Sequence, residues 1–431
     1  MSKSLVIPKL PLGRRIREYE ILIPIFEGGQ GRVYIGRLWR EGQPPAEQMI
    51  GRLKQRLTPE QVARYNLCVI KIPHPASKDN LRDEHIFLSN LSNPGIAHPR
   101  VIQLFKVPPD ISLQRGRRPG LCFDTFEDDE GGTQENYPCL ILNYEVGGSV
   151  RDLMRRFSDE ALPPGAAVLI ARQIAEALNH LHTVAEIVHH DIAPSNVLLR
   201  RPLGWPIPTL PECVVVDFAA ADSTRYTRNR EQLGQPRYRA PERRGVLSHE
   251  GIDTPPDIYS LGIVFYELLA GRAAVPTGRV TDEASRPRYM PLPPLQEKAP
   301  QLSAALCSLV MDMIDPVPAN RPTAAVVIKR LDEVPERNLS AKLRGPRPPQ
   351  IMRQIGAASA VLVVLSAVLV VALIRGFSPP LPPSTPTPVI ATVTPLSSVT
   401  VAPTDQPTSL PTSTPALAAP TSTLAPAAPN L

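Results

Sequence analysis

Hydrophobic and polar positions change rhythm several times along this chain, and each change marks an element. Two β-rich runs within residues 19–37 flank a glycine cluster, E-G-G-Q-G, the pattern of a hairpin with a tight turn. A polar stretch, 38–66, follows, and then L-C-V-I-K-I-P (67–73) reads as a buried strand interrupted by one cation, Lys71. In L-R-D-E-H-I-F-L-S-N-L (81–91), Glu84, Leu88 and Leu91 fall on one face at helical spacing. Residues 101–107 have the pattern of a strand, and 108–138 that of a polar surface insertion around D-D-E-G-G. A buried strand, C-L-I-L-N-Y (139–144), then gives way to the turn E-V-G-G-S.

From residue 150 the rhythm is helical. The apolar stripe of A-A-V-L-I-A-R-Q-I-A-E-A-L-N-H-L-H predicts a core helix with His180 and His182 on its surface side. The stretch V-H-H-D-I-A-P-S-N-V-L-L (188–199) predicts a loop held between two strands, with Asp191 and Asn196 separated by the bend at Pro194. A Pro-rich excursion (200–212) precedes V-V-V-D-F-A (214–219), a buried strand ending at Asp217. Beyond a polar run (222–234) and R-A-P-E (239–242), the helix that starts at Asp257, D-I-Y-S-L-G-I-V-F-Y-E-L-L-A-G, is apolar nearly all round and so predicts a buried centre. The helical part closes with D-P-V-P-A-N-R-P-T (315–323) and an amphipathic helix to residue 334.

Residues 355–374 carry no charge and are bracketed by Arg353 and Arg375, which suits a bilayer span. The tail beyond is Pro, Thr, Ser and Ala, with Asp405 among them, and cannot bury a core. Arg337, Lys342, Arg344, Arg347 and Arg353 precede the span and Arg375 follows it, so the globular part is expected in the cytoplasm and the tail outside.

Composition changes this picture little. A chain of 431 residues with 42% hydrophobic positions has room for two or three domains, and many of its 52 prolines crowd into the tail. The net charge of +6 is modest and Arg is interspersed with acids, so no nucleic-acid partner is expected. The five cysteines show no C-x-x-C spacing, which fits free thiols in a reducing compartment. The first ten residues have too short an apolar core for a cleaved leader.

The loop at 188–199 brings in candidate chemistry. Phosphoryl transfer needs a carboxylate to orient an attacking hydroxyl and take its proton, and an oxygen donor to hold a metal on the phosphates. Asp191 and Asn196 offer both, although such a loop taken alone is more often structural. The glycine cluster either approaches a phosphate or is an ordinary turn. A buried Lys71 needs a counter-charge, with Glu84 as the candidate, unless both side chains are exposed. Asp217, at a strand end, invites a metal.

In order, these motifs resemble the eukaryotic-type protein kinase family, in its bacterial membrane-anchored serine/threonine form, over roughly residues 19–334. The resemblance implies a two-lobed α+β fold, with a small β-rich N-lobe (about 19–144) and a larger helical C-lobe (about 145–334). Around it lie an N-terminal extension (1–18), a basic juxtamembrane segment (335–354), a transmembrane helix (355–374) and a disordered extracytoplasmic tail (375–431). The implied activity is transfer of the ATP γ-phosphoryl group to Ser/Thr hydroxyls of proteins, with Mg²⁺ or Mn²⁺. By the same resemblance, Gly28 and Gly31 belong to the loop over the phosphates, Val33 packs on the adenine, and Lys71, paired with Glu84, holds the α- and β-phosphates. Asp191 is the catalytic base, and Asn196 and Asp217 hold the metal. Asn143, Tyr144 and Glu145 form the hinge, with Leu142 behind it, and Leu198 joins the ATP site. Glu242 and Arg321 form a buried ion pair, Asp257 tethers the catalytic loop, and Phe218, His189 and Leu88 stack between the lobes.

Departures from the family pattern are Phe26 for a glycine, Ala219 for a glycine, Gln235 for a threonine and Ala193 for a lysine. Loss of that lysine is expected to cost on the order of 10²-fold in rate. His190 stands where an arginine commonly reads a phosphate on the activation segment, whose candidate phosphosites are Ser223, Thr224 and Thr227; activity is therefore expected to depend weakly on them. The alternative is a pseudokinase scaffold that binds nucleotide or partners. Gly356 and Ala360, four apart, suggest a homodimer through the membrane helix.

Overall fold

The computed structural model describes residues 10–28, 31–53, 57–108, 120–127, 133–201, 211–223, 235–244, 254–275 and 291–337. The chain divides into two units, 1–350 and 351–431, and the described residues all belong to the first. The segments 338–354, 355–374 and 375–431 lie outside the described residues, as do Thr224 and Thr227. Among the described residues no helix is long and apolar enough to cross a membrane.

Period-two alternation builds the N-lobe. Strands β1 (Arg15–Ile16), β2 (Tyr19–Gly28) and β3 (Gly31–Leu38) are followed by helices α1 (Ala46–Leu53) and α2 (Pro59–Arg64), then by β4 (Leu67–Pro73) and helix α3 (Lys78–Leu91). With β5 (Leu121–Glu127) and β6 (Thr133–Asn143) the strands form one sheet in the order β1-β2-β3-β4-β6-β5. Cys68, Ile70 and Ile72 of β4 face an outer core with Tyr34, Cys139 and Ile141, so that the alternate residues Val69 and Lys71 face the other way. Sheet pairing begins ahead of residue 19, since β1 pairs with β2 and Ile16 is buried.

Three stretches differ from their sequence pattern. The polar run 38–66 holds α1 and α2; Met49 and Leu57 pack there on Leu22 and Leu67, and a Thr58–Gln61 capping box starts α2. In α1 the apolar residues Ala46, Met49, Ile50 and Leu53 do fall at helical spacing, but the helix is only eight residues long and the surrounding stretch is polar. Residues 101–107 form no continuous strand, because the segment divides its pairing between lobes: Val101 bridges to Val215 and Leu104 to Leu142. The segment 108–138, expected as an insertion, contributes β5 and much of β6, with Phe126 against Tyr137 at 5.5 Å. Their alternation was hidden by the acidic stretch D-D-E-G-G, which lies at 128–132, outside the described residues.

In the C-lobe, α4 (Val150–Arg156) opens on a Ser149–Asp152 capping box and α5 (Pro164–His180) on its own proline. Among the described residues four short strands follow: β7 (Ile187–Val188), β8 (Val197–Leu199), β9 (Cys213–Val215) and β10 (Asp222–Ser223). The remaining helices among the described residues are α6 (Pro255–Ala270), α7 (Leu295–Lys298), α8 (Ala304–Met313) and α9 (Ala324–Glu333). Every residue of α6 from Pro256 to Leu269 is buried, as its all-round apolar pattern predicts. Arg321 braces the start of this helix: its guanidinium forms a two-pronged pair with Glu242 at 2.5 and 2.8 Å and donates to the Pro255 carbonyl at 3.1 Å. All five cysteines are buried and unbridged.

Candidate active site

The catalytic loop hangs between two ribbons. β7 pairs with β10 and β8 pairs with β9, with Val197 opposite Val215, so Asn196 and Asp217 emerge at the same end of the β8–β9 ribbon. The Val216 N–H donates to the Asn196 carbonyl at 3.0 Å. Pro194 starts a single turn that brings the Asn196 amide back onto Asp191, to the main-chain oxygen at 2.9 Å and to Oδ2 at 2.7 Å. Oδ1 of Asp191 accepts the Gln235 N–H at 2.8 Å. Burial pushes the Asp191 carboxyl up to about 6, against the pull of that N–H.

Beneath the loop, buried Asp257 accepts the N–H groups of His189 at 2.8 Å and His190 at 2.7 Å, and the His182 ring lies 2.9 Å away. Burial alone would raise this carboxyl, but the His182 bond and the neighbouring imidazoles hold it well below the carboxylate range. His182 therefore belongs to the support of the site, which corrects its placement on the helix surface. The helix widens after His180 into a π-type turn, Leu181–Ala185, and such turns recur at functional sites. Nothing in the apolar periodicity reports that change; His180, by contrast, stacks on His98 at 4.7 Å.

Lys71 joins the lobes. Its ammonium lies 2.7 Å from Glu84 of α3 and 2.8 Å from Asp217, and the Glu84 side chain is almost wholly buried. Burial would strip the proton from Lys71, but the two carboxylates hold it firmly charged. Burial likewise works against the Asp217 carboxylate and Lys71 outweighs it; Glu84 is pushed up by its own burial and by Asp217. One cation between two carboxylates leaves an excess of negative charge, which a divalent ion would offset. Asp217 also adopts φ +69°, a conformation that costs a non-glycine residue about 1–3 kcal/mol and clusters at functional sites.

Phe218 follows with its N–H 3.3 Å from Glu84 and its ring edge-on to His189 at 4.9 Å. Leu88 lies in the same core cluster as Phe218. His189 donates to the Val216 carbonyl and accepts from the Asp191 N–H, so it is held neutral, as its burial also favours.

Val33, Val69 and Leu198 are half-buried, and Val69 packs against the main core. Val33 pairs with Lys71 across β3 and β4. Asn143 ends β6, and Tyr144 and Glu145 continue into the inter-lobe link, with Arg200 at 3.3 Å from Glu145. Gly31 serves the sheet itself: at φ +148°, a Cβ would stand 2.2 Å from the Ile72 carbonyl. At Gly28 a Cβ would meet the exposed ring of Phe26 at 2.6 Å. Sequence reasoning missed Gln235 as a partner of Asp191, because the contact comes through its backbone; its side chain also reaches Ser195 at 2.7 Å.

The profile of a family described as "Protein kinase domain" matches residues 57–331, beginning after the glycine hairpin. Serine/threonine-protein kinase PknB of Mycobacterium leprae is 30% identical over 190 residues, 43% of this chain and 28% of its own length. Serine/threonine-protein kinase pkn2 of Myxococcus xanthus is 24% identical over 352 residues, 79% of this chain and 35% of its own. For PknJ of Mycobacterium tuberculosis the values are 29% over 188 residues, 43% and 31%. The chain thus spans about a third of the length of these relatives. In the solved structure of the Mycobacterium tuberculosis PknI kinase domain, the likeness covers 76% of this chain and 99% of that one, at 18% identity and a TM-score of 0.49.

Proposed function

The chain belongs to the protein kinase domain family, and on that premise we propose that it transfers the γ-phosphoryl group of ATP to serine or threonine hydroxyls of proteins. The observation that carries the proposal is the pair of facing constellations, Lys71–Glu84–Asp217 and Asp191–Asn196. Lys71 would hold the α- and β-phosphates. Asp191 would orient the substrate hydroxyl and take its proton as the oxygen bonds to the γ-phosphorus and ADP leaves. Val33 and Leu198 would sandwich the adenine, the backbone of Asn143, Tyr144 and Glu145 would meet its edge, and Gly28 and Gly31 would lie over the phosphates.

Asp217 and Asn196 offer oxygen donors, and one carboxylate with an amide suits Mg²⁺, which is commonly held by one or two carboxylates and the substrate's phosphates. Among the described residues no cluster of three or more His, Cys, Asp or Glu forms a metal cage. When bound, the ion neutralises charge on the phosphate oxygens. Ala193 supplies no cation beside that charge. A non-catalytic scaffold draws support from this and from the occupation of both Asp191 oxygens by Gln235 and Asn196.

Labelled ATP and Mg²⁺ separate the two readings. The full-length wild type is expected to label itself or a generic protein at least about 10²-fold faster than Asp191→Asn, the scale of a lost general base. Equal labelling would leave the scaffold.

The uncharged run 355–374 and the cations ahead of it support membrane anchoring with the kinase part in the cytoplasm, and Gly356 with Ala360 supports pairing of two spans. Protease added to intact cells should remove only residues beyond about 376, followed with antibodies to each end. Digestion of the kinase part from outside would reverse the orientation.

A further inference from the structure

Phe26 is the large apolar residue that β2 leaves most open, 64% exposed in the same sheet that carries Lys71. Register fixes the face it takes. Phe26 stands opposite Val33 on β3, Val33 opposite Lys71 on β4, and Lys71 opposite Leu140 on β6. Residues directly opposite in antiparallel strands share a face, so the ring belongs to the row that holds the ammonium, two strands away at about 4.8 Å per strand. Its neighbour Glu27 takes the other face with Arg32, whose guanidinium donates to Oε1 at 3.0 and 2.9 Å. A register shift between Pro24 and Phe26 bulges the strand at Ile25, a device that re-aims side chains beside active sites.

Along the strand the ring leans toward the hairpin tip. A Cβ on Gly28 would stand 2.6 Å from Cε1 and 2.8 Å from Cζ of Phe26. Gly28 is not among the residues with positive φ, so its missing side chain makes room for this ring rather than for a special backbone. The ring thus covers the site face of Gly28 as well as the position across from Val33.

A ring that merely stapled the hairpin would be buried against it, whereas most of this one is left uncovered, and among the described residues it joins no hydrophobic core cluster. The face of a phenyl ring carries partial negative charge and offers no donor. It therefore suits the flat, weakly polar surface of a sugar and base and disfavours a polyphosphate.

We propose that Phe26 is a nucleotide-binding residue: its ring closes over the nucleoside of ATP and extends the apolar wall that Val33 begins, while Gly28 stays bare to give the ring its place. The proposal rests on the ATP site of the kinase activity proposed above. Calorimetric titration of the full-length chain with ATP and Mg²⁺, and separately with adenosine, tests it. Phe26→Ala raises Kd about tenfold for both ligands, and Phe26→Tyr stays within about threefold of wild type. Gly28→Ala, which displaces the ring, weakens adenosine by a similar factor, although adenosine has no phosphate for a methyl group to obstruct. Added to Phe26→Ala, the same change costs adenosine less than about a further twofold, because the two act through one contact.

Without ligand, the melting temperature of Phe26→Ala stays within about 2 °C of wild type, as for an exposed side chain; a larger fall would assign the ring to the fold. A wild type that binds ATP but transfers no phosphoryl group would sink the kinase activity alone, and the Kd comparison would still decide Phe26. A wild type that binds neither ligand would overturn both. Equal or tighter ATP binding in Phe26→Ala, a loss confined to ATP, or an unchanged adenosine Kd in Gly28→Ala would each overturn the role of Phe26.

Discussion

Lys71→Met is expected to lower kcat/KM for ATP-dependent transfer by roughly 10³-fold, the scale of a lost cation opposite developing phosphate charge. The structure also attaches a stability cost to this change. Methionine matches the stem in length, but it leaves Glu84, almost wholly buried, facing Asp217 with no cation between them. Breaking a buried pair by removing one partner costs about 3–5 kcal/mol, so the melting temperature should fall measurably. Adding Glu84→Gln to Lys71→Met removes the stranded charge and should recover much of the stability with no recovery of transfer. A double variant that regains activity would show that Lys71 serves only to neutralise Glu84. Recovery of neither quantity would place the cost elsewhere, most directly in Asp217.

Asp257→Asn should damage fold and activity together. Asparagine keeps the shape, but its amide nitrogen replaces one acceptor, so one of the N–H groups of His189 and His190 is left without its oxygen. Each hydrogen bond to a charged group contributes about 1.5–3 kcal/mol, so about 3 kcal/mol of stability is at stake. Both N–H groups belong to the loop that presents Asp191, and kcat should fall by about 10²-fold or more as the base loses its aim.

The pH dependence has a definite sign. Asp257 is held below its ordinary range in the folded chain, so it stabilises the fold at pH values above about 4. That contribution is lost as pH falls through the folded value. Thermal melts of wild type and Asp257→Asn should therefore differ most near pH 7 and draw together below about pH 4. A constant difference across that range would mean that the carboxylate's charge is not what stabilises the loop.

How far the site could be read before the fold was known varied from residue to residue. Lys71 declared itself as a lone cation in an apolar strand, and a buried ammonium demands a carboxylate; Glu84 at 2.7 Å answers that demand. Asp257 was assigned through the family resemblance, and its three imidazole- and loop-directed contacts followed only with the coordinates. His182 could not be read. A histidine at the end of an amphipathic helix has the statistics of a surface residue. Its burial depends on a widened helical turn.

Local order was legible wherever one physical rule ruled a whole segment. The apolar circumference of α6 required burial, and the alternation of β4 required two faces. The order of the motifs carried the family, because covalent spacing is itself sequence information. What tertiary structure alone decided was which distant groups meet: Val101 and Leu104 dividing their pairing between lobes, and the backbone of Gln235 covering Asp191. Such contacts use backbone groups that every residue carries, or charges whose partners lie far away along the chain. No periodicity encodes them, and the packing of the two lobes brings them within reach.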